Sequence, residues 1–64
     1  MTDYERKNLI ISIENSAAAV ESRLGSAVEK SVLERYGAHE IQDLNPSDLP
    51  EIFSELYAIE ADLD

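Results

Sequence analysis

The first 36 residues carry an apolar pattern with the period of an α-helix. From residue 10 to residue 31, apolar or small side chains recur at alternating steps of three and four, which is typical of one helix face and of a coiled-coil seam. These positions are Ile10, Ile13, Ala17, Val20, Leu24, Ala27 and Ser31. Residues 2–5 (TDYE) form a capping-box motif just upstream. The pattern therefore predicts a long helix beginning near Asp3.

Gly25 leaves the length of this helix open. Glycine suits the position just past a helix end, and residues 26–29 (SAVE) read as a second capping box. This interpretation gives helices at about 3–24 and 27–36. The favoured alternative is a continuous or merely kinked helix that tolerates Gly25 at a cost of about 1 kcal/mol. A continuous helix of this kind would be roughly 50 Å long and would need another chain to cover it.

The second half predicts a turn and a shorter helix folded back on the first. Gly37 is expected to end the first helical region, and Ile41 and Leu44 are spaced for one helical turn on the core. Asp48 is predicted to cap a helix over about 50–62, with Glu51 completing the box. The predicted core is Val28, Val32, Leu33, Tyr36, Ile41, Leu44, Ile52, Phe53 and Leu56. The predicted fold is all-α, a helical hairpin or small bundle in a single domain over residues 1–64.

A chain of 64 residues buries little core of its own, and small folds commonly add disulfides, a metal or a partner chain. The chain has no cysteine and one histidine, His39, so neither disulfides nor a zinc site is expected. We therefore expect a homo-oligomer, most simply a dimer. Its predicted seam consists of Ile10, Ile13, Ala17, Val20 and Leu24.

Residues 9–13 allow a different fold. Three isoleucines in this short run favour a β-strand, and a strand followed by two helices is the arrangement of a ribbon-helix-helix DNA-binding dimer. The continuing three-four pattern and the upstream capping box favour a helix instead.

Charge is distributed unevenly along the chain, whose net charge is −9. Residues 1–36 hold all five Lys and Arg against six acids, whereas residues 37–64 hold eight acids and no Lys or Arg. This asymmetry argues against direct binding of nucleic acid or anionic membrane. It fits a basic protein partner or plain solubility. Glu60, Asp62 and Asp64 form the candidate acidic docking patch, the alternative being a solvated tail.

No pattern in the sequence predicts catalysis. His39 has no cysteine or elbow serine beside it, and the two glycines are isolated, so neither a nucleophile–base pair nor a phosphate loop is expected. We therefore expect no enzyme activity, no cofactor and no metal. The start of the chain is too polar for a signal peptide or a membrane span, which predicts a cytoplasmic protein.

Residues 33–37 (LERYG), 43–48 (DLNPSD) and 53–56 (FSEL) combine a glycine-stopped helix, a proline turn and a second helix. In this, residues 32–64 resemble the ends of small acidic uncharacterised proteins of bacterial conjugative or phage-like mobile elements. The resemblance implies an accessory role in such an element and brings no active site with it.

Three functions follow as hypotheses. The first is a non-catalytic interaction or adaptor module that associates with itself through helices. The second is an acidic mimic of nucleic acid that inhibits a DNA-binding enzyme. The third is a ribbon-helix-helix regulator.

Overall fold

The computed structural model describes residues 1–63 and consists of helices joined by short connections. The elements are α1 (Asp3–Leu24), α2 (Ser26–Arg35), two 3₁₀ turns (Ile41–Asp43 and Pro46–Asp48) and α3 (Leu49–Asp62). No strand occurs within the described range, so the predicted all-α class is confirmed. Residues 9–13 lie inside α1, and the ribbon required by a ribbon-helix-helix protein is not formed.

The long helix is broken at Gly25, so the favoured prediction of a continuous or kinked helix was wrong. Gly25 has φ +85° and ψ 174°, a conformation that only glycine adopts readily. Its amide still donates to the Glu21 carbonyl at 2.8 Å and closes α1. Helix α2 begins at the next residue, Ser26, without any side-chain cap. The second capping box is therefore not formed.

The start of α1 has the predicted cap. The Glu5 amide donates to Thr2 Oγ1 at 3.1 Å, and the Thr2 hydroxyl donates to Glu5 Oε1 at 3.1 Å. Asp3 and Glu5 also place negative charge in the first turn, where the helix dipole favours it.

The end of α2 is a glycine-terminated Schellman motif. Gly37 has φ +74°, the Ala38 amide donates to the Leu33 carbonyl at 3.1 Å, and the Gly37 amide donates to Glu34 at 3.0 Å. The motif turns Ala38 inwards, where it is 3% exposed. Ala38 is a core residue that the apolar pattern did not predict, because it lies outside every helix.

The connection from α2 to α3 combines one confirmed turn and one corrected cap. Ile41 and Leu44 flank the predicted turn, with the Leu44 amide donating to the Ile41 carbonyl at 3.2 Å. Asn45 Oδ1 then accepts from the Ser47 amide at 3.0 Å and from the Ser47 hydroxyl at 2.9 Å. Asp48 makes no side-chain cap, contrary to the prediction.

One core joins all three helices. Five of the nine predicted core residues are buried, namely Val32, Leu33, Leu44, Ile52 and Leu56. Val28, Tyr36, Ile41 and Phe53 are half-buried. The remaining buried apolar side chains are Ile13, Ala17, Val20, Ala38 and Leu49.

Two polar contacts indicate how the helices run. An Arg23 guanidinium nitrogen donates to the Leu63 carbonyl at 2.8 Å, so the C-terminal ends of α1 and α3 meet. These two helices share the most extensive helix–helix contact and therefore run in the same general direction. Arg35, at the end of α2, reaches Glu55 at 3.2 Å in the middle of α3. Helix α2 thus turns back after Gly25 and runs against the other two.

Two carboxylates meet where α1 turns into α2. Partial burial of Glu29, together with the nearness and the negative charge of the Glu21 carboxylate, raises the pKa of Glu29, and Lys30 opposes the shift. The native state therefore holds the Glu29 proton at a higher pH than the unfolded chain does. Ionised Glu29 beside Glu21 therefore lowers the free energy of unfolding at neutral pH. This loss of stability disappears as the pH falls through the raised pKa of Glu29.

Replacing Glu21 by glutamine should stabilise the protein at pH 7. The substitution removes the repulsion on Glu29 and an anion in the last turn of α1, where the helix dipole disfavours it, together worth about 0.5 kcal/mol. The gain should fade as the pH falls through the raised pKa of Glu29, where that carboxyl becomes protonated in the native state. Urea unfolding at several pH values measures it. Glu14→Gln, an exposed mid-helix control, should show no such pH-dependent gain.

Candidate interaction surfaces

The side of α3 facing solvent carries an acidic row. Asp48, at the end of the second 3₁₀ turn, is followed on α3 by Glu51, Glu55 and Asp62 at steps of three, four and seven residues, which brings the four to one side of this helical segment. Glu51 and Asp62 are exposed, whereas Asp48 and Glu55 are half-buried. We call these four residues the acidic row.

Small side chains and an aromatic pair lie beside the acidic row. Ser54, Ala58 and Ala61 are exposed along the outermost line of α3 and form a small-residue strip. Beyond this strip lies the aromatic edge, Phe53 and Tyr57, whose ring centroids are 5.9 Å apart with planes inclined at 46°. Tyr57 is 59% exposed. The acidic row, the small-residue strip and the aromatic edge thus run side by side along the solvent-facing side of α3.

Glu55 links the acidic row to α2. Its Oε1 pairs with Arg35 at 3.2 Å, while its Oε2 is buried without a hydrogen-bond partner. Partial burial of Tyr36, the nearness of the Glu55 carboxylate and the charge of Glu51 together raise the pKa of the Tyr36 phenol, with Arg35 opposing. Glu55, an interior member of the acidic row, is therefore held in place by Arg35. The exposed members of the row are Glu51 and Asp62.

The two described members of the predicted docking patch do not share a face. Glu60 and Asp62 are two positions apart, which places them on different sides of a helix. Glu60 is half-buried and lines a cavity of about 240 Å³ with Arg23, whereas Asp62 is exposed in the acidic row. Asp64 lies outside the described residues.

The predicted seam is covered within a single chain. Ile13 and Val20 are 0% exposed and Ala17 is 3% exposed, packed in the core that α3 completes. Ile10 is half-buried, and Leu24 is 48% exposed at the end of α1. A second chain could reach the middle of this seam only by displacing α3. Dimerisation stays a prediction, but in this fold its surface does not include the buried middle of the seam, Ile13, Ala17 and Val20.

Metal-binding and membrane-spanning features were also sought in residues 1–63. No group of three or more His, Asp and Glu side chains converges there as metal ligands would. None of the helices in this range combines the length and apolar character needed to cross a bilayer. His39 is exposed and lines a shallow cavity of about 320 Å³ with Lys30, Glu34 and Ala38.

No protein-family model matches the chain, and comparisons with curated proteins and with solved structures find nothing similar. The roles of individual residues are therefore argued from geometry and chemistry. The resemblance of residues 32–64 to mobile-element proteins stays a prediction.

Proposed function

We propose that this protein is a non-catalytic interaction module that binds a basic helical segment of a partner protein along α3. The observation that supports this most strongly is the parallel arrangement of the acidic row, the small-residue strip and the aromatic edge. An amphipathic helix with cationic residues on one flank and apolar residues on the other matches this order.

Each row has a distinct part in this recognition. Two helices approach most closely where side chains are small, so the strip formed by Ser54, Ala58 and Ala61 sets the line of contact. Tyr57 is the anchor, since aromatic side chains dominate the energetics of most interfaces. Glu51 and Asp62 attract the partner's cations and fix the side on which they lie.

The charge of the second half favours a cationic partner. Residues 37–64 hold eight acids and no Lys or Arg, so neutralisation has to come from α1, from α2 or from another molecule. Within residues 1–63, Arg35–Glu55 is the ion pair that forms across elements. The exposed acids of the row are left to solvent, where they raise the local concentration of a basic partner.

Charge reversal of the exposed row tests the proposal. A synthetic amphipathic helix of about five turns, with lysines on one flank and leucines on the other, serves as the probe. Glu51→Lys combined with Asp62→Lys should weaken its binding about tenfold or more, because two attractive pairs become repulsive. Glu21→Lys combined with Glu34→Lys changes net charge equally on α1 and α2 and should retain more of the binding. Equal losses from the two double variants would mean that only net charge matters.

A variant of the aromatic edge tests the proposal separately, because its effect on probe binding does not depend on salt. Tyr57→Ala should weaken probe binding about fivefold or more, as expected for an anchor residue. Tyr4→Ala, which removes a side chain 77% exposed on α1, should leave binding unchanged. If both tyrosine variants bind like the parent protein, α3 is not the docking face.

Competition with DNA separates this proposal from the alternative of an acidic nucleic-acid mimic. A partner captured by the parent protein and lost by the acidic-row variant can be challenged with duplex DNA. Displacement of a DNA-processing enzyme by DNA would favour mimicry. Retention of the complex in excess DNA would favour a dedicated protein partner.

A further inference from the structure

We propose that a second copy of this chain pairs antiparallel with the first along the outer side of α1. Lys7, Ile10, Ile11 and Glu14 form this outer face, which is a different surface from the α3 face proposed above. They line a shallow groove of about 460 Å³ together with Asp3 and Arg6. Ile11 is 46% exposed and Ile10 is half-buried, so the groove has an apolar floor between charged ends.

The four residues are arranged symmetrically about the midpoint between Ile10 and Ile11. In chain order they are a cation, two isoleucines and an anion, at steps of three, one and three residues. A two-fold axis at this midpoint places Lys7 opposite Glu14 of the second copy and Ile10 opposite its Ile11. An isologous interface requires this kind of self-complementary surface. The outer face therefore fits its own copy with both ion pairs formed.

Charge singles out this part of the molecule for contact between two acidic chains. Residues 1–20 hold three acids, Asp3, Glu5 and Glu14, against two bases, Arg6 and Lys7. Pairing through α3 would instead place one acidic row near another, which like-charge repulsion opposes. In the first turns of α1, by contrast, two copies meet with opposite charges facing each other.

The contact is short. Antiparallel pairing about this axis extends from Asp3 to Ala18, roughly 24 Å of helix. Such an interface belongs to the small class that associates weakly, and its ion pairs are screened by salt. We expect a dimer that forms with rising concentration and dissociates at high ionic strength.

A charge-exchange experiment tests the pairing directly. Sedimentation equilibrium from about 10 µM to about 1 mM follows association, and far-UV circular dichroism confirms that each variant keeps its helices. Lys7→Glu alone and Glu14→Lys alone should each weaken dimerisation about tenfold. An equimolar mixture of the two variants should regain it, because each then faces the opposite charge. The control exchange Lys30→Glu with Glu34→Lys, on α2, should leave dimerisation unchanged.

Spin labels report the direction and register of the pair. The chain has no cysteine, so Asn15→Cys or Ser22→Cys gives a single labelling site. In an antiparallel pair the separation between like labels grows by about 3 Å per residue from the axis, so the label at Ser22 should lie about 21 Å further from its copy than the label at Asn15 does. Equal separations, a mixture that fails to associate, or a parent protein that stays monomeric throughout would each overturn the proposal.

Discussion

Replacing Ile13 by alanine is expected to remove a large part of the protein's stability. The side chain is 0% exposed between α1 and α3, and truncating a buried isoleucine costs about 2–5 kcal/mol. A domain of this size is stable by roughly 3–10 kcal/mol in total. Urea unfolding followed by circular dichroism should therefore show a markedly lowered midpoint, or a chain already unfolded at room temperature.

Ile11 provides the matched control. It has the same side chain on the same helix two positions earlier, but it is 46% exposed. Ile11→Ala should change the free energy of unfolding by no more than about 0.5 kcal/mol at dilute concentration. If the two alanine variants lost stability equally, α1 would not present the face seen here to α3.

Replacing Gly25 by alanine is expected to alter the assembly state as well as the stability. The backbone at φ +85° and ψ 174° costs an L-residue about 1–3 kcal/mol, although a β-carbon there meets no atom within 4 Å. Alanine also favours helix over glycine by about 1 kcal/mol. Both effects favour a straight helix through residue 25, which would carry α2 away from α3 and leave Val32 and Leu33 uncovered.

Such opened chains can exchange elements with each other, since strained hinges are common sites of domain swapping. Gly25→Ala should therefore show lower stability and a concentration-dependent dimer, measured by sedimentation. D-alanine at the same position, introduced by chemical synthesis, accepts positive φ and should restore the parent behaviour. A D-alanine variant as disturbed as the L-alanine variant would locate the effect in the added methyl group rather than in the backbone.

The apolar pattern predicted which face of α1 is buried, but not what buries it. Ile13, Ala17 and Val20 lie in the core as the three-four spacing requires. Periodicity reports only that a face avoids water, and a neighbouring helix of the same chain satisfies it as well as a second molecule does. The apolar face of α1 is covered within the same chain because the break at Gly25 lets the chain turn back instead of continuing as one helix.

Sequence motifs for helix starts and ends predicted the structure correctly where only one residue was able to begin or end the helix. Thr2 caps α1 and Gly37 ends the second helical segment as predicted. Ser26 and Asp48 do not cap, because a residue upstream of each already redirects the chain. Gly25 does so through its backbone, and Asn45 does so by bonding Ser47.

The candidate interaction surface on α3 could be predicted in part from the sequence. The excess of acid after residue 36 was plain, yet the proposed patch at Glu60, Asp62 and Asp64 followed proximity along the chain rather than around a helix. Steps of three, four and seven from Asp48 to Asp62 would have revealed the acidic row once α3 was assigned. The balance of charge around Ile10 and Ile11 was also visible in the sequence. It could be interpreted as a contact surface only once the structure showed which side of α1 is not packed against the core.

The packing of α1 beneath α3 has a consequence during synthesis on the ribosome. Ile13 and Val20 leave the peptidyl-transferase centre well before α3 is made, with 38 residues separating the end of α1 from the end of α3. At ordinary elongation rates this interval lasts roughly 2–8 s. Throughout this interval the apolar side of α1 has no α3 to pack against, so the main helix–helix contact of the fold forms only after the last part of the chain has been made.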